Sequence, residues 1–135
     1  MLSTRLRQLF DGLLEQELAD LPPQYLELME EVPLIVEDEP GPRLLEDMGM
    51  GPDDDLCGLH WGVPLTERSV EGVPDAPDRM MLFRGPIIRL ADFSLKNPSP
   101  EDHAELRRQV HITLLHELGH HLGLDEDDLE ALGYA

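Results

Sequence analysis

Two histidines four residues apart, His116 and His120, carry Glu117 between them in the run HELGH, which lies in a proline-free stretch from Glu101 to Leu122. Residues four apart on a helix share a face, with Cβ atoms about 5–6 Å apart, so two imidazoles can reach one ion. Glu117 falls one step round the helix and flanks that ion without having to ligate it. The combination suits a metal-bound water with a carboxylate beside it as general base. A catalytic zinc takes three protein ligands and keeps a fourth position for water, so the pair needs one more partner.

The run continues as HELGHHLGLDE, in which Gly123 can end the helix and turn the chain back toward the histidines. Glu126 then stands at the spacing of a third ligand, ahead of Asp125, with Asp127 and Asp128 as further neighbours. Fourteen residues follow His121, which directs the search for this ligand to the acidic tail or to upstream residues. Tyr134, His60, His121 and Arg84 are residue types that could stabilise an oxyanion. His121 points away from the ligand pair and is expected to support the site or face solvent. His103 and His111 read as structural, Cys57 as packed in a strand, and Trp61 as core or cleft wall.

These residues need a scaffold. Ser99-Pro100-Glu101-Asp102 starts a helix by side-chain capping, a proline at the first position and acids near the positive dipole end, and the active-site helix is predicted over 99–122. Ile112, Leu115, Leu118 and Leu122 form its expected core face, and Gly119 leaves room for a close neighbour. Asp125 can cap a last helix, Glu126 to Leu132. At the other end Leu6, Leu9, Phe10, Leu13, Leu14 and Leu18 recur at helical spacing until Pro22 and Pro23, and a second short helix follows, giving a helical segment over 1–31. Leu34 to Val36, Leu56 to Trp61 and Met80 to Phe83 read as strands, with one helical turn near Leu44 and an ambiguous stretch over Pro86 to Leu90. Gly62 to Pro77 reads as a loop that could lie across the site. The expectation is a single α+β domain over 1–135, with a small sheet packed against the long C-terminal helix.

Composition limits the partners. The chain has 135 residues and a formal net charge of −19, which opposes nucleic acid and anionic membrane surfaces and favours solubility or basic peptides. Hydrophobic residues make up 41%, enough for a folded core. No apolar run is long enough to span a bilayer, and no signal-peptide pattern is present. Cys57 is the single cysteine, so no intramolecular disulfide or Cys-rich zinc site can form. A cytoplasmic protein is expected.

Four blocks extend the motif: HELGHHLGLDEDDLEALG at His116 to Gly133, VEDEP at Val36 to Pro40, GVPLTERS at Gly62 to Ser69 and PDRMMLFRGPI at Pro77 to Ile87. In this order they resemble the small bacterial minimal zincin-like metallopeptidases over nearly all of the chain after the first helix. The resemblance implies a compact zincin core, zinc on His116 and His120, Glu117 as the catalytic carboxylate, and an acidic third ligand soon after the glycine. Members commonly carry Asp where this chain has Glu126, and no methionine follows Met81 to form the turn found under metzincin sites. The expected activity is hydrolysis of a peptide or protein substrate, with basic sequences favoured. The alternative is a metal-binding regulatory or interaction module without proteolysis, against which the intact Glu117 counts.

Overall fold

The computed structural model describes residues 2–61 and 79–132, apart from the side chains of Gln24 and Trp61. Its elements run α1 (Thr4–Ala19), α2 (Pro23–Glu31), β1 (Leu34–Glu37), α3 (Pro42–Asp47), β2 (Gly58–Trp61), β3 (Arg79–Phe83), α4 (Arg84–Leu90), α5 (Pro100–His121) and α6 (Glu126–Leu132). This is the α+β arrangement read from the sequence. The Gly62 to Pro77 loop and Tyr134 lie outside the described residues.

Local chemistry explains where the helices begin. Ser3 Oγ accepts from the Leu6 N–H at 3.1 Å at the start of α1. At α5 the capping is reciprocal, with Ser99 Oγ accepting from the Asp102 N–H at 3.1 Å and Asp102 accepting from the Ser99 N–H at 2.8 Å. Asp125 and Asp128 exchange the same pair of bonds at the start of α6, at 2.9 and 3.1 Å. Pro86 to Leu90, which periodicity left open, is helical: Pro86 sits in the first turn of α4, where a missing N–H costs nothing.

The sheet has the order β1-β3-β2. β1 runs parallel to β3 with Val36 opposite Leu82, and β2 runs antiparallel to it with His60 opposite Met80. The central strand carries the most apolar burden, and Met80, Leu82 and Phe83 are buried. Behind the sheet lies α5, which touches β2, β3, α1 and α4. Leu106, Val110, Leu114 and Leu118, four residues apart in turn, form its buried stripe, and Phe10, Leu14 and Ile87 close the same core.

This corrects one detail of the expected core face. Leu115 and Leu118 are buried, but Leu122 is only partly so and Ile112 lines a cavity. A helix covered by a sheet and two other helices has no single apolar arc, so a one-stripe reading of its sequence selects only part of the buried set. Ion pairs tie the first helix to this core. Arg7 and Arg84 converge on Asp38, Arg84 also holds Asp11, and Arg107 of α5 holds Glu17 and Asp20.

Candidate metal centre

His116 and His120 lie one turn apart near the end of α5, with ring centroids 4.6 Å apart and Nε2 atoms 3.0 Å apart. The helix then stops. Gly123 has a φ of +88°, its N–H bonds to the His120 carbonyl at 3.0 Å, and the Leu124 N–H bonds to the Gly119 carbonyl at 2.9 Å. These are the paired bonds of a Schellman turn, which a residue with a Cβ adopts only under strain. The reversal brings the first residue of α6 back over the histidines, and Glu126 Oε1 lies 3.4 Å from His116 Nε2 and 3.0 Å from His120 Nε2.

Three donor atoms thus form a triangle with sides of 3.0, 3.0 and 3.4 Å. Tetrahedral zinc with bonds of about 2.0–2.1 Å separates its ligands by about 3.3 Å. Two neutral imidazoles and one carboxylate are also a donor set that zinc accepts. Among the described residues these three are the only group of His, Cys, Asp and Glu gathered closely enough to hold an ion. Asp125 is engaged in capping α6 rather than turned to the histidines, and the other acids of this tail do not join the group.

Two features fix the donor group. His120 Nδ1 lies 3.2 Å from the Leu124 carbonyl, to which it can only donate, so the lone pair of a neutral ring is at Nε2. Gly119 supplies the second: a Cβ there would overlap the Leu129 side chain of α6. The small residue expected to admit a neighbour therefore admits the helix that carries Glu126.

Glu117 turns inward from the same helix and is 5% exposed. Its Oε1 is 4.0 Å from His116 Nε2. Burial, together with the Glu126 carboxylate, pushes its carboxyl up to about 8, while a hydrogen bond from the His60 backbone N–H opposes the shift. Such a group is poised to exchange a proton near neutral pH. The strand that provides the N–H can approach because of Gly58, where a Cβ would lie 3.0 Å from both Glu117 Cγ and Thr113 Cγ2 and 3.1 Å from the Met81 carbonyl oxygen. A glycine inside a strand is a sequence signal for close approach, and it is the one that reading for ligands alone passes over.

A cleft of about 490 Å³ runs over this group, bordered by Met48, Leu59, His60 and Leu124 as well as the ligand set. Of the oxyanion candidates, His60 lines it. His121 is 1% exposed and sits behind His60, its Nδ1 3.3 Å from His60 Nε2. Arg84 is held by Asp11 and Asp38 and does not border the cleft. His103 stacks edge-on against Phe93, and His111 Nδ1 lies 2.7 Å from Glu17.

The model of the zincin-like metallopeptidase family matches residues 29–134. The chain belongs to that family, whose members typically bind zinc. No curated protein matches it. The matched region starts within α2 and contains every residue of the donor group, whereas α1 precedes it. No helix of the described residues is long and apolar enough to cross a membrane.

Proposed function

We propose that the protein is a zinc-dependent peptidase in which His116, His120 and Glu126 hold the ion and Glu117 is the general base. The observation that carries this reading is the three-atom donor triangle with a buried carboxyl at its edge. Zinc bound there supplies a water whose pKa is lowered to about 7 and a Lewis acid for the scissile carbonyl. Glu117 takes the proton of the attacking water as its oxygen adds to the carbonyl carbon. The same carboxyl then delivers that proton to the amine nitrogen as the C–N bond breaks. The His60 N–H holds the Glu117 carboxyl against β2 through both transfers, and the His60 side chain is the oxyanion partner among the described residues.

The substrate is an extended peptide. β2 is an edge strand of the described sheet and forms one wall of the cleft, so a peptide can add to it through main-chain hydrogen bonds. Asp125 on the rim and a net charge of −19 favour basic sequences over acidic ones. Nucleic acid and anionic membranes are disfavoured by the same charge. A lone cysteine needs no oxidising compartment, and we assign the activity to the cytoplasm.

Metal analysis of protein purified without added metal, followed by comparison of wild type with Glu117→Gln on a peptide library, tests the reading. Stoichiometric zinc in both proteins with cleavage only by wild type supports it. Equal background cleavage by the two rejects peptidase activity and leaves a metal-binding module; absence of any transition metal rejects the site itself.

A further inference from the structure

α5 carries a second pair of residues one turn apart, a single step round the helix from the two histidines of the donor group. Glu117 and His121 share this face, and both are buried. They meet the same residue of β2. The His60 backbone N–H donates to Glu117, while His60 Nε2 lies 3.3 Å from His121 Nδ1, with the two rings edge to face and their centroids 5.3 Å apart. The close approach of β2 over Gly58 therefore fixes His60 to α5 at two points, the main chain and the ring.

The reaction described above uses only the first of these points. An imidazole is a costly filler for a core position that an aliphatic side chain would also fill, so the use of His121 lies in its hydrogen bond. Two neutral imidazoles can share such a bond in two ways. If His60 donates from Nε2, its one ring proton is spent on His121 and its Nδ1 is an acceptor. If His121 donates from Nδ1, His60 Nε2 accepts and the His60 proton resides on Nδ1. Imidazole in water favours the Nε2–H form, so the second arrangement requires a neighbour that imposes it. Only that arrangement makes His60, which lines the cleft beside the donor triangle, a donor to a developing oxyanion.

Resting on the peptidase reading above, we propose that His121 is a positioning residue whose Nδ1–H donates to His60 Nε2 and keeps the His60 proton on Nδ1, where it is offered to the oxyanion. One stripe of α5 then gathers the metal donors, and the adjoining stripe holds the strand residue that serves the reaction.

Two measurements test this. The first needs no turnover: heteronuclear NMR of the full-length protein reads which ring nitrogen carries the proton, with the His60 signals identified by their loss in His60→Phe. The His60 proton is expected on Nδ1 in wild type and in His121→Asn, whose amide nitrogen takes the place of Nδ1, and on Nε2 in His121→Leu. A wild-type His60 with its proton on Nε2 overturns the proposal. The second measurement is turnover of a cleavable peptide by zinc-loaded protein. His121→Leu is expected to lower kcat about 10-fold or more, with KM, zinc content and melting temperature little changed, and His121→Asn to recover most of that loss. His60→Phe should lower kcat about 10²-fold, and adding His121→Leu to it should have little further effect. An equal loss from His121→Leu with and without the His60 ring, or a kcat that falls only together with the melting temperature, assigns His121 to packing and overturns the proposal. A His60 proton held on Nδ1 by His121 in a protein that cleaves no peptide overturns the peptidase reading instead and upholds the pairing.

Discussion

The donor group and the Glu117 carboxyl beside it have separable roles in the proposed reaction. Glu117→Gln keeps the volume and hydrogen-bonding shape of the side chain but removes the basic oxygen, so kcat should fall by about 10²–10⁴-fold. Zinc stoichiometry measured on the same sample should not change. Loss of a hydrogen-bond partner to a metal ligand costs about 10–100-fold in affinity, so Glu126→Ala, which removes a proposed ligand, should weaken zinc binding by more than that in competition with a chelating dye. Asp127→Ala should change it little. The reverse order would transfer the third ligand along the tail.

At the level of elements, two glycines decide whether the site assembles. α6 approaches α5 over Gly119, with the buried Leu129 filling the space a Cβ would need. Alanine is the better helix former by about 1 kcal/mol, so Gly119→Ala would stabilise an uncovered helix. Here it should instead displace α6, lower the melting temperature and weaken zinc binding together, and Leu129→Ala in the same chain should restore part of both. Gly58→Ala tests the other side of α5, because the added Cβ meets Glu117, Thr113 and a Met81 carbonyl that belongs to the sheet backbone. Overpacking of this kind costs about 1–3 kcal/mol. The expected result is a drop in activity larger than the drop in zinc affinity, since β2 aligns Glu117 and not the ligands.

Over the whole molecule, charge pairs join parts distant in sequence. Asp38 at the end of β1 accepts from Arg7 of α1 and from Arg84 of α4. The hydrogen bond from Arg7 holds its carboxyl below the usual carboxylate range. A depressed native value means that its contribution is present above the unfolded value near 4 and is lost as pH falls through the folded one. Asp38→Asn should therefore reduce stability at pH 7 by about 1 kcal/mol or less, and the gap between variant and wild type in urea unfolding should close well below pH 4. On the proposed reading zinc would bridge α5 and α6. Free zinc at 100 times its Kd would add about 2.7 kcal/mol, so chelation should lower the melting temperature by several degrees, and readdition should restore it.

The local sequence determined α1, α5 and α6 and the pairing of the two histidines, because these depend on interactions within a few residues: caps at Ser3, Ser99 and Asp125, four-residue spacing at His116 and His120, and a left-handed stop at Gly123. Even the return of Glu126 to the two histidines was legible, since only a tight turn separates it from their helix. Other properties depend on contacts between segments far apart in the chain. The burial of His121 behind His60, the N–H that His60 offers Glu117, the removal of Arg84 into a cluster with Asp11 and Asp38, and the turning of Ile112 toward a cavity all arise where β2, α1 and α4 meet α5. Periodicity reports which side of a helix is apolar. Which neighbour covers that side, and how closely, is decided only when the sheet and helices pack.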